Sequence, residues 1–186
     1  MFAYETTLCG TKLVTDAALY LGIFDYASPV NKLGEWEVLF HDAERKAGNE
    51  QWKTLYYFND YWAKLAKQGH ILSWITLFDG VFKAELRLLA DNPQIEFKET
   101  ETEHFLGDGK ATRLFCPTGK IVVASLGDLG TEIITPLATL ESGWYKVGFF
   151  CDEEKESEHH FLEDETQYPA DSSPDWIIYM QRERET

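Results

Sequence analysis

Residues 71–89 read ILSWITLFDGVFKAELRLL, two apolar runs on either side of Asp79-Gly80. In the second run Phe82, Ala84, Leu86 and Leu88 alternate with Lys83, Glu85 and Arg87, the period-two pattern of a strand with one buried face. The first run is apolar on both sides, which predicts a strand inside a sheet. Asp-Gly between two such runs is a hairpin signal, because glycine supplies the positive φ of a tight turn without steric cost.

Part of this stretch returns later. Gly80-Val81-Phe82-Lys83-Ala84-Glu85-Leu86 is echoed by Gly143-Trp144-Tyr145-Lys146-Val147-Gly148-Phe149. Upstream, Lys12-Leu13-Val14-Thr15-Asp16-Ala17-Ala18-Leu19 is echoed by Lys120-Ile121-Val122-Val123-Ala124-Ser125-Leu126. The echoes divide the chain into two degenerate copies of one β unit, residues 1–106 and 107–186, with Gly107-Asp108-Gly109 at the border. Chance likeness between amphipathic strands is the competing explanation. The expected fold is mainly β (α+β): two β-sandwich or barrel-like repeats packed together, the first carrying a helical insertion at residues 41–69.

The best helix covers residues 50–68, with Asn49 as N-cap and Gly69 as stop. Trp52, Leu55, Tyr56, Asn59, Trp62, Ala63 and Ala66 share one stripe, while Tyr57, Phe58 and Tyr61 lie off it. One buried face cannot hide every ring. Either the helix is covered on two sides, by the sheet and by the apolar patch at residues 36–40, or Tyr57 and Tyr61 are exposed as anchors for a partner. The second half reads as short strands at residues 111–116, 120–126, 133–140 and 144–151, closed by Trp176-Ile177-Ile178-Tyr179-Met180.

Hydrophobic residues make up 44% of the 186-residue chain and aromatics 15%, enough for a sizeable core. No apolar run is long enough to span a bilayer, and the first residues lack a basic-then-apolar leader, so the expectation is a soluble, cytoplasmic protein. Cys9, Cys116 and Cys151 are odd in number and widely spaced. They suit small buried hydrophobes better than a disulfide framework or a zinc site. The net charge of −15 opposes binding to nucleic acid or anionic membrane and favours either plain solubility or a basic protein partner.

Templates for catalysis find no match. Gly127-Asp128-Leu129-Gly130 lacks the third glycine and following helix of a phosphate loop, and Gly-x-Ser-x-Gly is absent. His159-His160 is flanked by Glu156, Glu158 and Glu163, but adjacent strand residues point to opposite faces and cannot readily share an ion. His41, Asp42 and Glu44 resemble an acid/base set, yet they sit at a polar helix start with no nucleophile nearby in sequence. The reading is therefore a non-enzyme with no cofactor and no metal.

The acidity falls in two places. Glu96, Glu99, Glu101 and Glu103 form a ladder after the first unit. Asp152, Glu153, Glu154, Glu156, Glu158, Glu163, Asp164 and Glu165 follow the second, eight carboxylates against one lysine. Pseudo-symmetric packing would bring the two together as a surface able to occupy a basic groove, and solvated loops that keep the protein soluble are the blander alternative.

Thr15-Asp16-Ala17, Asp79-Gly80 with Phe82, Pro117-x-Gly119-Lys120-Ile121-Val122 and Gly143-x-Tyr145-x-Val147 together resemble small bacterial β proteins associated with toxin immunity. The last third, a Gly-x-Tyr-x-Val strand, an acidic loop and a Trp-Ile-Ile-Tyr strand, is similar in plan to the bacterial competence nuclease inhibitor. The resemblance implies an inhibitor that covers the active site of a cognate protein toxin, and it transfers no binding residue. The partner-binding candidates are the carboxylates from Asp152 to Glu165, Glu99, Glu101 and Glu103, with Tyr57 and Tyr61. The alternatives are a β-sandwich module binding a small ligand, or a phage-encoded acidic mimic of nucleic acid.

Overall fold

The computed structural model describes residues 5–14, 20–32, 36–50, 52–75, 80–90, 112–125, 134–151, 162 and 165–183. In chain order the elements are β1 (Thr6–Val14), β2 (Tyr20–Asp25), α1 (Trp36–Ala47), α2 (Trp52–Lys67), β3 (Leu72–Ile75) and β4 (Phe82–Leu89). There follow β5 (Arg113–Cys116), β6 (Lys120–Ser125), β7 (Ala138–Thr139), β8 (Gly143–Cys151) and β9 (Trp176–Arg182). The strands form a five-stranded sheet, β1-β4-β9-β8-β5, and a four-stranded sheet, β3-β2-β6-β7. The protein is mainly β, with the two sheets packed face to face.

Among the described residues the two arms of the expected hairpin do not pair, and its turn at residues 76–79 lies outside them. Both of its arms are strands, but β3 pairs antiparallel with β2 in the smaller sheet while β4 pairs with β1 and β9 in the larger. The side-chain pattern explains the split. Leu72 and Trp74 of β3 enter the core between the sheets, and Ser73 between them is also buried. A strand hidden on both sides needs cover on both faces, and only the four-stranded sheet, with helices behind it, provides that. Within that sheet β3 is an edge strand, so its burial comes from neighbouring layers and not from flanking strands on both sides. β4 buries Phe82, Ala84 and Leu86 and turns Lys83, Glu85 and Arg87 partly to solvent, which suits an outer layer.

Three layers result, with two cores. Between the sheets lie Leu21, Ile23, Trp74, Phe82, Ile121, Val123, Phe149 and Trp176. Trp74 sits 4.6 Å from Phe149 and 6.0 Å from Trp176, and Trp176 sits 4.8 Å from Phe82, measured between ring centroids. These offset and edge contacts add to the burial of the rings themselves. The second core joins the other face of the small sheet to the helices through Phe24, Val122, Ala124, Ala43, Phe58 and Trp62. Successive residues of β2 and β6 thus feed different cores, as the pleat requires.

Helix α2 is the element expected from residues 50–68; of its expected stripe, Trp62 and Ala66 are buried, while the side chains of Trp52, Leu55 and Tyr56 lie outside the described residues. Thr54, Phe58, Trp62 and Ala66 are buried, while Asn59 and Ala63 are only partly covered; Phe58, expected off the stripe, is 1% exposed. The helix is covered on two sides, by the small sheet and by α1, which contains the 36–40 patch. Asn49 lies in the turn between the helices, three positions before Trp52. Gly69 does stop the helix. At φ 74° it donates its N–H to the Ala66 carbonyl, and the His70 N–H reaches the Leu65 carbonyl at 3.0 Å, the paired bonds of a Schellman cap.

β9 occupies the centre of the large sheet, parallel to β4 and antiparallel to β8. β4 and β8 therefore run in opposite directions on its two sides. Cys151, the last residue of β8, pairs with Trp176, which also pairs with Ala84 near the start of β4.

Candidate functional site

The acidic segments leave the large sheet from opposite ends, one after Leu89 and the other after Cys151. Glu96, Glu99, Glu101 and Glu103 lie outside the described residues, as do Asp152, Glu153, Glu154, Glu156, Glu158, Glu163 and Asp164, and with them His159-His160. Glu165 begins a short 3-10 turn, Glu165–Gln167. Tyr57 and Tyr61 are half-buried and pack beside the second core, with Tyr61 edge-on to Trp62 at 5.5 Å. Burial holds the Tyr61 phenol in its neutral form to higher pH than usual.

His41, Asp42 and Glu44 are placed on α1 in surface ion pairs of ordinary helical spacing. His41 Nδ1 meets Glu44 at 2.7 Å, and Asp42 pairs with Lys46 at 2.7 Å and with Arg45. The hydrogen bond from Lys46, then that from Arg45, keeps the Asp42 carboxyl below its ordinary range. Among the described residues no group of three or more His, Cys, Asp or Glu side chains converges as a metal site.

The buried carboxylates hold backbone. Asp25, fully buried at the end of β2, accepts from the Ala27 N–H at 2.8 Å and from the Thr118 hydroxyl and N–H at 2.8 and 3.1 Å. It thereby pins the β5–β6 turn, Pro117-Thr118-Gly119, to the small sheet. Burial, with the Asp25 charge nearby, drives the Cys116 thiol far towards its protonated form, an inert state for a cysteine. Asp175, equally buried just before β9, accepts from the Lys83 N–H at 2.7 Å and from the Tyr168 hydroxyl at 2.6 Å. Burial and that hydrogen bond raise the Tyr168 phenol.

Two features open to solvent. On the outer face of β5 and β8, Phe115, 38% exposed, stacks on Trp144 at 5.0 Å, and Arg113 lies 4.7 Å over the same indole. Glu183 takes the Arg113 Nε at 2.8 Å and fixes the guanidinium on the ring. The alternation in Arg113-Leu114-Phe115-Cys116 already put Arg113 and Phe115 on one face, but only the pairing of Phe115 with Trp144 builds the ledge.

The second feature is a cleft of about 600 Å³ at one end of the sandwich, between β1 and β4 on one side and β7 and the start of β8 on the other. Leu88, Leu89 and Leu140 form its apolar walls, and Thr7, Thr139 and Arg182 add polar groups. Tyr145 lines it too, its hydroxyl donating to the Glu141 carbonyl at 2.6 Å. Arg182 is braced by Glu141 and by a 3.0 Å bond to the Ser142 carbonyl. Sequence reasoning missed this site because its residues come from five strands and a turn and share no local spacing.

The chain is thus a small two-sheet β protein backed by a helical pair, with its described buried carboxylates committed to holding turns. It is similar in fold to the protein described as crocagin biosynthetic gene J: 20% identity over 97% of this chain and 99% of that one, with a TM-score of 0.62. ComJ of Bacillus subtilis, inhibitor of the DNA degrading activity of NucA, is aligned over 96% of this chain and 98% of its own at 9% identity and a TM-score of 0.42, a likeness too slight to carry an inference. No protein-family model and no curated protein matches the chain.

Proposed function

We propose that the protein is a non-catalytic immunity or inhibitor protein that acts in the cytoplasm and neutralises a cognate toxin by covering a basic active-site surface. The observation that carries this reading is the charge, 32 acidic against 17 basic residues, with eight of the carboxylates crowded between Asp152 and Glu165. An acidic surface of that density speeds encounter with a basic partner and repels phosphate-bearing ones. The roles of Asp25 and Asp175 agree with it, since both are satisfied by backbone and hydroxyl donors.

The candidate contact residues in this reading are the 152–165 carboxylates, Glu99, Glu101 and Glu103, and the half-buried Tyr57 and Tyr61 of α2. Because the two acidic segments depart from opposite ends of the large sheet, each is treated as a separate patch. The two halves, 1–106 and 107–186, are read as copies of one unit. What supports this is the shared order of sheet membership: β1 and β4 in the large sheet enclose β2 and β3 in the small one, and β5 and β8 likewise enclose β6 and β7.

The test is to sequence the genes beside the one for this chain and to co-express the chain with any secreted or phage-tail-delivered effector found there. Growth protection together with co-purification of a stable complex supports the proposal. Failure of both, with folded protein present, overturns it.

A further inference from the structure

The end cleft has a chemistry that protein docking through acidic loops does not use. Its polar groups are rich in donors. Arg182 offers five N–H bonds, of which the described contacts with Glu141 and Ser142 take two. The Thr7 and Thr139 hydroxyls make no side-chain hydrogen bond among the described residues. Glu141 balances the Arg182 charge, so the local pair is neutral inside a protein of net charge −15. The net charge repels a ligand with two negative charges about twice as strongly as one with a single charge. The guanidinium fork matches the two oxygens of a carboxylate, and its brace by Glu141 and Ser142 reduces the entropy lost on binding. Behind these donors the walls are aliphatic, Leu88, Leu89 and Leu140, and a volume of about 600 Å³ suits a molecule of metabolite or small-drug size.

We propose that this cleft binds a small amphiphilic monocarboxylate, with the carboxylate on Arg182 and the Thr139 hydroxyl and the apolar body against the three leucines. The site is independent of the toxin-docking reading, since it uses none of the acidic-segment residues.

Octanoate, octanol and octyl phosphate, titrated into the isotope-labelled full chain and followed by amide chemical shifts, separate the contributions. Octanoate is expected to bind saturably, ahead of both the alcohol and the phosphate, with shifts centred on Thr7, Leu89, Thr139 and Arg182. Arg182→Gln, at a half-exposed side chain, should weaken octanoate by about tenfold and leave octanol unchanged. Ala90→Phe, at an exposed lining position, should weaken both by occupying the opening. Octanoate binding no better than octanol, shifts centred away from the cleft, or an Arg182→Gln variant that binds octanoate as the parent does would each overturn the proposal.

Discussion

Lys83 and Asp175 are bonded to one another in both directions: the Asp175 carboxylate accepts the Lys83 N–H at 2.7 Å, and the Asp175 N–H reaches the Lys83 carbonyl at 3.0 Å. The Lys83 ammonium also donates to the Ser172 carbonyl at 2.8 Å, and Ser172 in turn meets the Tyr168 hydroxyl at 3.2 Å. One buried carboxylate thereby fixes the loop before β9 to the start of β4, and so sets the parallel register of the central strand.

Replacing that carboxylate leaves two donors buried without an acceptor. Asp175→Ala should lower unfolding stability by about 2–6 kcal/mol, since each stranded group costs about 1–3 kcal/mol. Tyr168→Phe should cost less, about 1–2 kcal/mol, because it removes the hydroxyl's bonds to Asp175 and Ser172 but leaves the Lys83 N–H satisfied. Urea unfolding of the two variants checks the order. Equal losses would show that the Lys83 bond contributes little.

Gly69 and Gly48 test sterics against backbone strain. Both have left-handed φ, 74° and 57°, but a Cβ at Gly69 would collide with the Trp144 indole, whereas at Gly48 it would meet open space. Gly48→Ala should cost about 1 kcal/mol from conformation alone. Gly69→Ala should cost about 1–3 kcal/mol more, through overpacking, and Trp144→Ala in the same chain should recover that excess. Thermal unfolding of the three variants reads the difference directly. Equal effects at the two glycines would contradict the packing of Trp144 on the helix stop.

Tyr145 gives a pH dependence. Burial, ahead of smaller contributions from Cys116 and Glu141, pushes its phenol up to about 12 from the usual 10.0. Between those values the folded form keeps the proton that the unfolded chain releases, so stability falls as pH rises through this window and is fully retained below it. Tyr145→Phe should cost about 1 kcal/mol near neutrality, for the lost bond to the Glu141 carbonyl, and should fall off less steeply above pH 10. Denaturant melts across the alkaline range check this. Parallel curves for the two proteins would show that Tyr145 ionises normally.

Most strands were legible in the sequence, and their partners were not. The alternation in β4, the Trp-Ile-Ile-Tyr run of β9 and the glycine stop of α2 are local signals, and each lies where its pattern pointed. The hairpin reading failed because Asp79-Gly80 is a local signal as well, whereas the choice of sheet for each arm depends on layers formed by distant strands. The apolar character of both faces of β3 did hold the information that it belongs to the middle layer. The echo between residues 80–86 and 143–149 falls on β4 and β8, which flank β9 symmetrically, while the echo of residues 12–19 in 120–126 begins in β1 and falls on β6, strands of different sheets. Of the two readings offered for the off-stripe rings, cover on both sides hides Phe58, which is buried where α1 and the small sheet meet α2. As for the candidate site, the acidic segments were visible as composition, whereas the Arg113–Trp144 ledge and the end cleft arise only from strand pairing.

In the proposed function, charge is what brings this protein to a basic partner. The decisive experiment is the association rate with a toxin that the protein protects against, across a series of salt concentrations, for the natural chain and for one with Asp152, Glu153, Glu154 and Glu156 all changed to lysine. The expected rate falls steeply with ionic strength for the natural chain, and is markedly slower and less salt-sensitive for the reversed variant, with folding unchanged. Equal rates for the two chains at low salt would contradict it.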